Sequence, residues 1–208
     1  GEDFVLHDVD LLVWPGERVA VVGPNGAGKS VLFRLVLGRE QPTWGSIKLG
    51  PSVDVSYYSQ EHQTLNYDAT PLQEVRSLKA LYEKEAYNYL GRFLFNFEMA
   101  QQPVRTLSGG EKARLQIAKM MLSPANFLLL DEPTNNLDIP ACEVLEDALQ
   151  DYKGTTLIIS HDRYFLDRIC TRIVELRAGR LIKYLGNYTY YLEKRRQEEE
   201  AARQAVEY

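Results

Sequence analysis

The segment Gly23-Pro24-Asn25-Gly26-Ala27-Gly28-Lys29-Ser30 fits G-x-x-x-x-G-K-[ST] and constrains the fold more than any other feature of the chain. It lies between a continuous apolar run, Val19 to Val22, and a helix-period segment, Lys29 to Leu37, that stops at Gly38. An apolar run of that length reads as a strand buried on both faces, as a parallel sheet requires. A glycine-rich turn between such a strand and a helix lets backbone N–H groups face inward around phosphate oxygens, and the helix start adds its positive dipole end. In that setting Lys29 is expected to reach the β and γ phosphates of a nucleotide, and the Ser30 hydroxyl to ligate Mg²⁺.

The remaining pattern alternates strands with helices. Phe4 to Val13 alternates loosely and reads as strand structure with one buried face, followed by a turn at Trp14 to Glu17. Ile47 to Leu49 and Val53 to Tyr58 read as strands, and Gln60 opens a polar loop. Pro71 to about Phe97 has helical spacing broken at Gly91, a small helical insertion. Helices are then expected from Gly109 or Gly110 to Leu122, from Pro140 to Gln150 and from Arg163 to Ile169. Between and after them come strands at Phe127 to Leu130, Thr155 to Ser160, Arg172 to Leu176 and Leu181 to Tyr184. Such alternation implies an α/β fold on a mostly parallel sheet, and the fold expected for the chain adds to it an antiparallel β portion and a small helical subdomain over about 71–122. Residues 1–186 form the domain in this reading. Residues 187–208 form a charged tail, a solvated helix leaving it.

Composition narrows the class. A chain of 208 residues with 45% hydrophobic content can bury one sizeable core. The net charge of −5 argues against coating nucleic acid through bulk positive charge. Cys142 and Cys170 match no metal or redox spacing and make no disulfide framework, so a reducing, cytoplasmic setting is the default. No apolar run approaches the roughly 18 to 20 residues of a membrane-spanning helix. The chain starts without Met or a signal-like segment, so Gly1 is expected to be a cut inside a longer protein.

A second chemical element is Phe127-Leu128-Leu129-Leu130-Asp131-Glu132, a buried strand ending in two carboxylates. Ligands of open α/β sheets gather at the carboxyl ends of strands, so both carboxylates are expected to face the phosphate loop. Asp131 is then placed to hold Mg²⁺, and Glu132 to orient or deprotonate the attacking water.

Leu107-Ser108-Gly109-Gly110-Glu111-Lys112-Ala113-Arg114-Leu115 carries the LSGGE signature of the ABC class. Asp131-Glu132-Pro133-Thr134-Asn135-Asn136-Leu137-Asp138 and Ser160-His161-Asp162-Arg163-Tyr164-Phe165-Leu166-Asp167 narrow it further. On these motifs the sequence resembles the ABC-F family, soluble proteins with two ABC ATPase domains in tandem, most of them acting on the ribosome. The resemblance runs from about Val5 to Leu192. Asn136 departs from the usual His, and Val31, grouped with the nucleotide-binding loop, stands where Thr is usual.

The resemblance implies ATP and Mg²⁺ as ligands and assigns further roles. Gln60 is the Q-loop glutamine, near Mg²⁺ or the attacking water. His161 donates a hydrogen bond to the γ-phosphate, and Asp138 is the D-loop residue linking two active sites. Leu107, Ser108, Gly109, Gly110 and Glu111 act in trans, on nucleotide held by an opposing domain, so ATP hydrolysis needs a second ABC domain in tandem or as a homodimer. The family's adenine-stacking aromatic falls immediately before Gly1, which leaves Val5 beside the base or ribose. The segment Tyr89 to Phe95 looks more like the second domain of a tandem pair. Ribosomal RNA and tRNA follow as partners, in translation regulation or antibiotic resistance. Two alternatives stand beside this reading: the motor subunit of an ABC transporter, and a non-hydrolysing nucleotide-gated adaptor.

Overall fold

The computed structural model describes residues 5–59 and 65–206. Six strands form one sheet in the order β2-β3-β4-β1-β5-β6. They are β1 (Arg18–Val22), β2 (Val55–Ser59), β3 (Phe127–Asp131), β4 (Thr155–Ile159), β5 (Arg172–Arg177) and β6 (Arg180–Tyr184). All neighbours pair in parallel except β5 and β6, a hairpin with Leu176 opposite Leu181.

The unbroken apolar runs follow from coverage of both sheet faces. Val19, Val21, Leu129, Leu157, Ile159 and Val174 point to one face, where Leu32 and Phe33 of helix α1 (Lys29–Val36) cover them. Ala20, Val22, Leu128, Leu130, Ile158 and Ile173 point to the other. There they meet α5 (Gly109–Leu122), α6 (Ile139–Asp151) and α7 (Arg163–Ile169) through Leu115, Ile117, Leu145, Leu149 and Phe165. The helices α2 (Pro71–Leu78), α3 (Glu83–Gly91) and α4 (Phe97–Gln101) continue this second cluster through Val75, Ala86, Leu90 and Ala100. The helical portion therefore shares one core with the sheet. Gly91 closes α3, and the chain turns through Leu94 at φ 63° while Phe95 N donates to Leu90 O at 3.2 Å.

Three expectations need correction. Residues 5–13 form no strand, although Leu6, Leu11 and Val13 do pack on the α1 face. The segment is pinned at points: His7 N donates to Gly179 O at 2.6 Å, and Arg172 Nη2 donates to Leu12 O at 2.7 Å. The alternation thus reports one-sided burial without a ladder of hydrogen bonds. Ile47 to Leu49 also form no strand; Ile47 and Leu49 stay exposed, with no packed layer to reward an extended pairing. The antiparallel part among the described residues is consequently the β5–β6 hairpin. The tail forms α8 (Tyr188–Val206), but its first turns are docked rather than free. Tyr191 is buried edge-on against Tyr184, with centroids 5.0 Å apart, and Arg195 Nε lies 3.6 Å from the buried Glu175 carboxylate. Only from Arg196 to Gln204 is every residue exposed.

Both cysteines are free, and burial pushes the Cys170 thiol up to about 12. Leu129, fully buried in β3, sits where the sheet meets α1. Leu129→Ala is expected to cost about 2–5 kcal/mol of stability, from lost transfer energy and a residual cavity, measured as a lowered urea midpoint with an unchanged slope.

Candidate functional site

Three adjacent strands deliver the site. At the end of β1, Gly23 adopts φ 145°, and a Cβ there would lie 2.4 Å from Leu176 O, so the loop leaves the sheet where only glycine fits. At Gly26, φ is 79° and nothing lies within 4 Å of a built Cβ, so the loop faces open space at that point. Val5 and Leu6 lie against Gly28, which places half-exposed Val5 beside the loop.

Lys29 is the charge at the centre. Its Nζ donates to Gly23 O at 2.8 Å and Pro24 O at 3.0 Å, folding the side chain back beneath the loop. Burial lowers its pKa, and Glu132 and Asp131 partly restore the charged form. Asp131 ends β3 and accepts a hydrogen bond from the Tyr57 hydroxyl at 3.2 Å. Glu132 follows in the left-handed region at φ 48°, and its N–H donates to Ile159 O at 2.8 Å, tying the turn to β4. Its carboxylate accepts the His161 backbone N–H at 3.1 Å and lies 3.4 Å from His161 Nε2. Glu132 and His161, expected from separate motifs, are thus in contact. Ser30 and Val31 begin α1 immediately after Lys29. Gln60 lies outside the described residues. A cleft of about 440 Å³ opens beside Gly23, Pro24, Lys29 and His161.

Leu107, Ser108, Gly109, Gly110 and Glu111 do not line that cleft. Ser108 caps α5, accepting from Glu111 N at 3.3 Å while Ser108 N donates to the Glu111 carboxylate at 2.7 Å, a capping box. Asp138 caps α6 by accepting from Ala141 N at 2.9 Å. The same carboxylate sits over the first turn of α5, where a Cβ on Gly110 would come 1.9 Å from Asp138 Oδ2. Arg114 Nη1 lies 3.8 Å from that oxygen. The first turn of α5 and Asp138 are thus in contact within this domain.

The residues fit a nucleotide and its metal. The loop presents a buried cation and a helix start to phosphate oxygens. Among the described residues no cluster of three or more His, Cys, Asp or Glu could hold a metal. A hydroxyl and one carboxylate, from Ser30 and Asp131, suit Mg²⁺, which keeps waters and is bound largely through substrate phosphates. Sequence reasoning missed Tyr57, whose place in an ordinary strand carried no motif, and Arg114, whose pairing with Asp138 spans 24 positions and has no local signal.

The family model for ABC transporters matches residues 6–135, which hold the phosphate loop, the signature and the two strand-end carboxylates. The chain belongs to the ABC transporter family. Domains of this family bind ATP, normally with Mg²⁺, and work in pairs. This ABC domain is 49% identical over 92% of its length to the putative ATP-binding protein YdiF of Bacillus subtilis (strain 168), spanning 30% of that protein. It is 41% identical, over 93% of its length, to ABC transporter F family member 2 of Arabidopsis thaliana, spanning 29% of it. To the energy-dependent translational throttle protein EttA of Escherichia coli (strain K12) it is 40% identical over 93% of its length, spanning 36% of it. The chain therefore spans about a third of the curated relatives it matches. Among solved structures, the ATP binding subunit of an ABC transporter aligns at TM-score 0.69 and 27% identity, over 87% of this chain and 83% of that one. The archaeal ribosome recycling factor aABCE1, in complex with ribosomal stalk protein aP1, aligns at 0.66 and 27%, over 83% of this chain and 35% of that one.

Gly110→Ala is expected to push Asp138 off both helix starts and cost about 1 kcal/mol, the usual worth of a cap. Denaturation of the single variants and of Gly110→Ala/Asp138→Ala checks this, because a shared contact predicts a non-additive double variant.

Proposed function

We propose that this ABC domain hydrolyses ATP jointly with a second ABC domain, in a cytoplasmic factor that acts on the ribosome. The observation that carries the hydrolytic part is the Glu132–His161 contact at the mouth of the Lys29 loop. Glu132 is held where it can take a proton from water, and His161 stands ready to donate to the γ-phosphate. Lys29 binds the β and γ phosphates. Ser30 and Asp131, with Gln60 by family resemblance, hold Mg²⁺, which when bound neutralises phosphate charge.

The need for a second domain rests on geometry: Ser108 and Gly110 stand at a helix start apart from their own phosphate loop, so they suit a γ-phosphate held elsewhere. In this reading residues 1–186 are the ABC unit, 187–208 a charged helical tail, and the chain is the second domain of a tandem pair. The ribosomal reading draws on the names EttA, a translational throttle, and aABCE1, a ribosome recycling factor, among similar proteins. A transporter motor is the second reading, favoured by the match to a transporter's ATP binding subunit along most of both chains. No helix among the described residues is long and apolar enough to cross a membrane.

Lys29→Ala should weaken ATP binding by about 10- to 100-fold in calorimetry, the worth of one charge-assisted hydrogen bond; near-normal affinity would overturn the site. In the tandem protein, Glu132→Gln with its counterpart changed too should keep ATP binding, stop hydrolysis and leave the factor sedimenting with ribosomes in ATP. A mutant that collects instead with a membrane complex and leaves translation untouched supports the transporter reading.

A further inference from the structure

The cleft beside the phosphate loop continues past the place where a terminal phosphate would sit. Beyond Lys29 and His161 it reaches Arg163, at the start of α7, and then the inner side of α8, with Tyr188, Tyr191 and Arg195. Its charge is biased: Lys29, Arg163 and Arg195 line it, against one carboxylate, Glu175. That carboxylate is buried and already serves two cations, Arg177 in direct contact and Arg195 at 3.6 Å, and Arg195 also pairs with Glu199 at 2.9 Å, so its charge is largely answered within α8 and β5. Arg163 has no ion-pair partner among the described residues, although it is exposed and flanked by Asp162. Asp162 is committed elsewhere, capping α7 by accepting from Phe165 N at 3.0 Å.

A guanidinium left free on the wall of a polar cleft next to a phosphate loop is suited to a tetrahedral oxyanion, which it can grip with paired N–H donors. We infer that this extension of the cleft is an oxyanion site that holds the inorganic phosphate released by hydrolysis, with Arg163 as its anchoring cation and Arg195 of α8 on its wall. The inference rests on the ATPase reading above, since hydrolysis supplies the ligand. It gives Arg163, a motif residue without a part in nucleotide binding, a product-binding role. It also brings the product against α8, the helix that leads away from the domain.

The test is calorimetric titration of inorganic phosphate into the chain saturated with ADP and Mg²⁺, which fills the phosphate loop and leaves the extension open, at ionic strength held constant with chloride. Saturable phosphate binding is expected, weakened about fivefold or more by Arg163→Gln and only partly recovered in Arg163→Lys, which restores the charge but not the paired donors. Circular dichroism melts confirm that the exposed substitutions leave the fold intact. Equal phosphate affinity in Arg163→Gln, or no saturable phosphate binding to the ADP complex, overturns the inference. The ADP titration that precedes it separates the two failures: if ADP binds and phosphate does not, only this inference falls, whereas a chain that binds no ADP loses the ATPase reading as well.

Discussion

A lysine ammonium almost out of water is the constraint on which the rest of this structure hangs. Lys29 is 9% exposed, and a buried cation without partners would be among the costliest features a fold can carry. Its partners come from two places: the loop carbonyls of Gly23 and Pro24, and the field of Asp131 and Glu132 across the strand ends. The strand order makes this possible. With β3 beside β4 and β4 beside β1, loop, carboxylates and His161 emerge from three neighbouring carboxyl ends. Phosphate oxygens arriving in the loop would compete for the same ammonium, so the site is organised around an anion before one arrives.

The asymmetry of the two sheet faces has mechanical meaning. One face is closed by α1 and the pinned N-terminal segment; the other carries the sheet's contacts with α5, α6 and α7 and continues into the helical portion. Leu115 and Ile117 of α5 are fully buried in that second core, so the signature at the start of α5 is set by the same packing that sets β3. Densely packed interiors transmit displacement instead of absorbing it. The Asp138 carboxylate adds a polar link, because it lies at the starts of both α5 and α6.

Most of this was legible in the sequence, and the part that was not is instructive. The phosphate loop, the strand ending in Asp131 and the helix from Gly109 to Leu122 have strong local signals: a motif, an unbroken apolar run, and a capping box. The bounds of α7 agree with the expected Arg163 to Ile169. Phe4 to Val13 misled because alternation encodes burial of one face, while a strand also needs a partner's hydrogen bonds, which sequence pattern does not carry. The docking of α8 was hidden for a different reason. Its anchors, Tyr191 and Arg195, sit in a stretch dominated by charge, and the partner of Arg195, Glu175, is a carboxylate set between Val174 and Leu176 in a buried strand. Contacts such as Tyr57 with Asp131, 74 positions apart, have no signature within either segment.

The docked root of α8 has a geometric consequence. At 1.5 Å per residue its 19 residues extend about 28 Å, and Glu200 to Gln204, past the Glu198 contact with Tyr184, are exposed. A helix held along its first half converts angle into distance: a tilt of roughly 10° pivoting at Tyr191 moves the far end, about 22 Å away, by about 4 Å. Rearrangements around Glu175 too small to disturb the sheet would thus appear at the end of the helix as a displacement the size of a side chain.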